Sequence, residues 1–213
     1  MKYKGIIFDL DGVICFTDKY HYQAWKAMAD QIGVYFDEQI NNRLRGVSRM
    51  ESLDIILERC SRKYSMEEKE ALAAEKNKRY RELLSGMTPD DLSDEVKETL
   101  DKLRANGAKL AIGSSSKNAK MILSRIGLEG YFDAVSDGTN ISRSKPDPEV
   151  FLKAAEFLGL KASDCLVVED AEAGIDAACA GGFDSAGLGE AAQYEKTTYP
   201  MKCFSDLCAC CTE

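Results

Sequence analysis

Two carboxylates stand two residues apart in Asp9-Leu10-Asp11-Gly12, and a second acidic pair, Glu169-Asp170, lies far along the chain. Each pair directly follows a short apolar run. Alone, either pair suits a solvated turn. Brought together at about 4–6 Å, four carboxylates would repel strongly unless a cation joined them. Oxygen donors without sulfur or imidazole favour Mg²⁺, which keeps several waters and recruits phosphate oxygens. Lys145 is flanked by Ser142-Arg143-Ser144 and Pro146-Asp147-Pro148. Two prolines stiffen that loop and present the ammonium from a fixed backbone. By itself Lys145 would be a surface lysine in a turn. Beside a carboxylate cluster it can neutralise an attacking carboxylate and a phosphoryl group. Ser114, with Ser115 and Ser116, closes another apolar run ahead of a helix expected from about Lys117. It serves as a helix cap, an anion contact, or both.

These residues need strand ends to hold them. Lys4–Phe8, Ala108–Gly113 and Cys165–Val168 read as buried strands, with weaker candidates at 134–135 and 185–188. Helical spacing marks 94–105, 117–127, 148–158 and 172–181. Alternation of this kind predicts an α/β fold, a doubly wound, Rossmann-like parallel sheet covered on both faces. Ligands of such sheets sit beyond the carboxyl ends of the strands, where Asp9, Ser114, Glu169 and Asp170 all fall.

Residues 15–89 break the alternation. They contain no strand pattern, and Ser48/Glu51 and Ser65/Glu68 carry the spacing of reciprocal helix caps. About 70 helical residues exceed any crossover loop. The expected organisation is a catalytic core of 1–14 and 90–213 with an inserted all-helical cap domain at 15–89. Charge divides the same way. Residues 15–89 hold 13 Lys/Arg and 12 Asp/Glu, whereas the remainder holds 15 and 24 within a chain of net charge −8. Without a basic cluster, nucleic acid and anionic membranes are poor partners. No apolar run approaches the ~20 residues of a membrane span, so a cytoplasmic protein is expected. No apolar stripe asks for a second subunit, and a monomer is expected. Of the eight cysteines, Cys15, Cys60, Cys165 and Cys179 suit buried or half-buried thiols. Cys203, Cys208, Cys210 and Cys211 crowd the C-terminus without a paired CxxC or nearby His, and free thiols are expected there.

In their order and at these strand ends, Asp9-Leu10-Asp11-Gly12, Ser114, Lys145-Pro146 and Glu169-Asp170 resemble the haloacid dehalogenase superfamily of phosphotransferases. The motifs span nearly the whole chain, and the helical insertion resembles that superfamily's small cap. The resemblance implies that Asp9 is the nucleophile and becomes an aspartyl phosphate. It implies that Asp11 is the general acid and base. Mg²⁺ would be held by Asp9, the Asp11 carbonyl and Asp170, with Glu169 close by, and Ser114 and Lys145 would bind the transferring group. Closure of the cap is expected to raise the pKa of Asp11 by excluding water.

Within the superfamily, the cap looks most like the β-phosphoglucomutase family. Thr17 through His21 to Trp25 matches its first cap helix, and Arg45-Gly46-Val47-Ser48-Arg49 its substrate loop. Lys76-Asn77 matches a further cap contact, and Ser114-Ser115-Ser116-Lys117-Asn118 the core loop that meets substrate. The implied reaction interconverts β-glucose 1-phosphate and glucose 6-phosphate, with glucose 1,6-bisphosphate as activating intermediate. Arg49 is the natural anchor for a second phosphate, because a guanidinium binds phosphate through two parallel hydrogen bonds. Lys76 also suits a solvated helix face, and His21 suits a helix histidine packed near Trp25. A sugar-phosphate phosphatase of the same superfamily is the alternative. A phosphorylation-controlled receiver module shares the sheet and acidic site but not the insertion or the Asp-x-Asp order. Two features depart from the pattern: Phe16 replaces a polar linker residue, and the Cys-rich tail is short.

Overall fold

The computed structural model describes residues 1–211; Thr212 and Glu213, the last residues of the Cys-rich tail, lie outside them. Six parallel strands form one sheet: β1 (Gly5–Phe8), β2 (Lys109–Gly113), β3 (Ala134–Ser136), β4 (Cys165–Glu169), β5 (Asp184–Gly187) and β6 (Tyr199–Pro200). Their order is β3-β2-β1-β4-β5-β6. β1 lies in the middle, in register with Lys109–Ile112 on one side and Cys165–Val168 on the other. Every residue of β1 and β4 is buried, as expected where helices cover both faces.

The helices are α1 (Asp18–Gln31), α2 (Glu38–Asn42), α3 (Arg49–Leu57), α4 (Met66–Leu84), α5 (Asp94–Ala105), α6 (Ala119–Arg125), α7 (Glu149–Leu158), α8 (Glu172–Ala180) and α9 (Leu207–Cys210). The first four fall between β1 and the next strand and have their own apolar centre of Trp25, Met28, Phe36, Leu53, Ile56 and Ala73. Local chemistry starts two of them. Ser48 accepts from Glu51 N while Glu51 accepts from Ser48 N, and Ser65 and Glu68 repeat the exchange, so four end groups are satisfied by two residue pairs.

Several details differ from the sequence reading. β6 has only two residues and shows no hydrophobic period. α2, five residues started by the Asp37 cap, is likewise too short to carry one. α6 begins two residues later than expected. Cys179 is exposed, because it falls on the outward side of α8, whereas Ile175 and Ala178 face the sheet. None of the eight cysteines is in a disulfide. Among the described residues no helix is long and apolar enough to cross a membrane.

Candidate active site

At the carboxyl end of β1 the chain leaves the sheet at Asp9, and at the end of β4 it leaves at Glu169 and Asp170. Because β1 and β4 are neighbours, the two acidic pairs meet. Oxygens of Asp9, Glu169 and Asp170 lie within 4.8 Å of one another. Lys145 reaches them from the loop before α7. Its Nζ donates to Asp9 Oδ1 and to Glu169 Oε1, each at 2.5 Å, with only 1% of the lysine exposed. The second Glu169 oxygen accepts from the Asp170 and Ala171 amides.

One ammonium faces three carboxylates here, and the balance shows in their acidity. Burial pushes Asp9 above its ordinary range; Lys145 opposes this, while Glu169 and Asp170 add to it. Burial, then Glu169, lifts Asp170 to about 7. Burial alone would lower Lys145, but Asp9 and Glu169 outweigh it and hold the ammonium charged. An all-oxygen, net-negative cluster fits Mg²⁺. Two glycines make room for it. A Cβ on Gly12, whose φ is +84°, would stand 2.1 Å from Asp170 Oδ2, and one on Gly174 would stand 2.0 Å from the Glu169 carboxyl. Neither glycine carries a sequence signal beyond its position near an acidic pair.

Asp11 lies apart from that cluster. Its Oδ1 accepts from the Thr17 amide at 3.0 Å and from the Thr17 hydroxyl, and its Oδ2 lies 3.5 Å from His21 Nε2. Burial works to raise its pKa, but His21 and Thr17 more than offset it and the net direction is down. The expectation that enclosure raises the Asp11 pKa is therefore corrected: the same closure that excludes water also brings in donors. Tyr80, buried on α4, joins the group through a 2.9 Å bond between its hydroxyl and that of Thr17. Sequence reasoning missed Tyr80, which continues the buried face of α4 one turn beyond Lys76.

A cavity of about 980 Å³ lies between these strand ends and the helices of 18–84. Arg45, Gly46, Val47, Arg49, Trp25 and Lys76 line it from the helices, and Ser114, Ser116, Lys117 and Asn118 from the sheet side. Thr17 is buried beneath it. Lys76 Nζ lies 2.9 Å from His21 Nδ1 and 4.6 and 4.5 Å from the Trp25 and Tyr80 ring centres. Burial, then Arg49, lowers its pKa to about 7. Burial, then Lys76, lowers His21, against the pull of Asp11. When Lys76 is protonated it can only donate, so Nδ1 accepts and the ring proton sits on Nε2, facing Asp11. Among the described residues neither Arg49 nor Lys76 has a carboxylate within ion-pair distance. Arg45 lies 3.5 Å from Asp18 and 3.9 Å from Glu190, the latter another cavity residue without a sequence signal. In the serine loop, Ser114 accepts from Ser116 N and Ser116 from Asn118 N. Phe16 is 70% exposed on the cavity wall.

The arrangement places one carboxylate, Asp9, beside a fixed ammonium, a second, Asp11, two residues further on, and two cations without carboxylate partners among the described residues across the same cavity. Comparisons with known proteins give the family. The family model for haloacid dehalogenase-like hydrolases matches residues 3–182. Beta-phosphoglucomutase of Bacillus subtilis is 43% identical over 88% of this chain and 84% of its own. A phosphorylated carbohydrates phosphatase of Thermotoga maritima is 31% identical over 85% and 82%. The crystal structure of beta-phosphoglucomutase from Clostridium difficile superposes with a TM-score of 0.91 at 38% identity, covering 96% and 93%. With the family match spanning most of its length and the motifs meeting at the sheet's carboxyl edge, the chain belongs to the haloacid dehalogenase-like hydrolase family.

Proposed function

We propose that this protein is a β-phosphoglucomutase, interconverting β-glucose 1-phosphate and glucose 6-phosphate through an aspartyl phosphate at Asp9. The observation that carries the reading is a single cavity with cations at both ends. Lys145 is locked to Asp9 at one end, and among the described residues Arg49 and Lys76 have no carboxylate partner at the other. Hydrolysis requires one phosphate site. Moving a phosphoryl group between two positions of a sugar requires two, because the bisphosphate must bind in both orientations.

Turnover starts from the aspartyl phosphate: a hydroxyl of the sugar monophosphate attacks its phosphorus, the bond to Asp9 breaks, and Asp11, a carboxylate before substrate binds, takes the hydroxyl proton. An Asp9 oxygen then attacks the other phosphorus of the bisphosphate, the bond to the sugar oxygen breaks, and Asp11 returns the proton to that leaving oxygen, re-forming the aspartyl phosphate. Carboxylate needs no deprotonation to attack, and Lys145 offsets its charge and that of the phosphoryl oxygens in flight. Ser114 would donate to the same group. Arg49, Lys76, Lys117, Ser116 and Asn118 would hold the second phosphate. Arg45, Gly46, Val47, Trp25, Thr17 and His21 would shape the site around the sugar and Asp11. Mg²⁺ held by Asp9, Asp170 and the Asp11 carbonyl, with Glu169 adjacent, would supply further charge neutralisation at the transferring group. Residues 15–89 act as a cap that opens for exchange of sugars, and glucose 1,6-bisphosphate is the activator that charges Asp9. A monomer in the cytoplasm completes the reading.

The experiment is incubation with β-glucose 1-phosphate, Mg²⁺ and a trace of glucose 1,6-bisphosphate. Glucose 6-phosphate is the expected product, and release of inorganic phosphate without it overturns the reading. The phosphatase alternative is favoured by the Thermotoga relative. Arg49→Ala separates them: a phosphatase for small substrates keeps most of its turnover, whereas a mutase loses the anchor that lets the bisphosphate reorient.

A further inference from the structure

One side chain in the cavity departs from its local duty. Asn118 occupies the cap position of α6, where an asparagine ordinarily accepts from amides of the first turn. Here its side chain makes no cap bond. Instead its Nδ2 donates to Oδ1 of Asn77, on α4, at 2.9 Å. The bond runs from the sheet side of the cavity to the helical side, joining residues 41 apart in sequence. Asn118 is buried and Asn77 half-buried, so water competes weakly for the pair.

A second contact spans the cavity elsewhere. Arg45 faces Glu190, which follows β5, and a Cβ on Gly46 would stand 3.6 Å from the Ala173 methyl. Asn118 follows β2, and β2 and β5 are separated by β1 and β4. Three strand spacings separate β2 from β5 by about 14 Å, so the two contacts lie over separate parts of the sheet. One bridging point leaves a hinged body free to rotate about it, whereas two at this separation fix its angle. The Arg45–Glu190 contact is long and exposed, of the kind worth least. The Asn77–Asn118 bond is short and shielded, and it is the stronger determinant of how far the helices close.

We propose that Asn77 is a positioning residue: by accepting from Asn118 it sets the closed depth of the helical unit and aims the Asn118 amide at the second phosphate of the sugar bisphosphate. The assignment rests on the mutase reading for its substrate, but its effect on closure does not. The second amide hydrogen of Asn118 is left for the ligand, and the first holds the side chain in one rotamer.

The test uses the full-length protein in two measurements, with circular dichroism melts confirming that each variant folds. Trp25 is the only tryptophan, is buried, and lies on the helical wall of the cavity, so acrylamide quenching of its fluorescence reads opening without any ligand. Asn77→Leu, which keeps the shape and removes the acceptor, should lower the closed-to-open ratio about tenfold and raise quenching. Asn77→Asp keeps an acceptor and should quench like the unsubstituted protein. In turnover of β-glucose 1-phosphate, Asn77→Leu should raise the KM for glucose 1,6-bisphosphate about tenfold with little change in kcat. Combined with Asn118→Ala it should add almost nothing to that substitution alone. Unchanged quenching and KM in Asn77→Leu, or equal quenching by Asn77→Leu and Asn77→Asp, overturns the proposal. If the unsubstituted protein forms no glucose 6-phosphate, the mutase reading falls, and the quenching series still decides whether Asn77 sets closure.

Discussion

Two lysines face one cavity from opposite walls, and nearly every atom of both is buried: 1% of Lys145 and 3% of Lys76 is exposed. Lys145 is held between two carboxylates at 2.5 Å and stays charged. Lys76 has aromatic rings, a histidine and a neighbouring guanidinium, and its pKa falls to about 7. Desolvation acts on both and differs little. The partners decide the sign. On the sheet side the protein completes its own charge pairs. On the helical side it leaves a cationic pocket whose missing partner is an anion. On the proposed reading, that difference separates the wall that would do chemistry from the wall that would select a ligand.

The sharpest way to break the comparison is Lys145→Met. It strands Asp9 and Glu169 as buried charges, and loss of one partner of such a group costs about 3–5 kcal/mol. Removing a donor to the transferring group should cut kcat about 10²–10³-fold. Urea unfolding and steady-state rates check both. Next is the divalent cation. Chelation with EDTA should abolish turnover, and Mg²⁺ should raise the melting temperature, by about 2.7 kcal/mol equivalent at a hundred times its Kd. The shift should vanish in Asp170→Asn. Gly12→Ala should weaken the Mg²⁺ response in the same assay and cost about 1 kcal/mol in its absence, because a methyl meets Asp170 at a position with φ of +84°.

Lys76→Met sharpens the comparison with the opposite sign. Folding lowers Lys76 from 10.5 to about 7, so between those values the unfolded chain binds more protons and stability rises with pH. The penalty is complete below about pH 7 and gone above 10.5. Lys76→Met should therefore stabilise the ligand-free protein below pH 7, by about 2–3 kcal/mol after the lost ring contacts, with the gain fading as pH rises. Its affinity for a sugar bisphosphate should fall about tenfold. Unfolding midpoints across pH 6–10 and bisphosphate titrations check the pair of effects.

Much of the fold was legible because its signals are local. β1 and β4 are unbroken apolar runs, and α3 and α4 begin at Ser-x-x-Glu caps whose bonds close within four residues. β6 and α2 were not legible, since two and five residues cannot express a period. Cys179 was misplaced because its apolar character was weighed above its position: it follows Glu172 and Asp176 by seven and three residues, on the same outward face of α8. Tyr80, Glu190 and the Asn77–Asn118 bond were missed because each acquires its place only when the helices lie over the strands.

The sequence by itself determined which residue types stand at the ends of which buried strands, and the family resemblance those residues carry supplied the expected phosphoryl-transfer roles of Asp9, Lys145 and Asp170. It did so because strand order and side-chain chemistry are written in short windows. Only the tertiary structure decided the electrostatics. Asp11 was expected to become a weaker acid on enclosure, and the hydrogen bonds from Thr17 and His21 reverse that. Lys76 read as a solvated or functional cation with equal ease, and its burial among rings and cations settles the direction of its pKa. A charge takes its energy from everything within a few ångströms, and those neighbours come from across the chain.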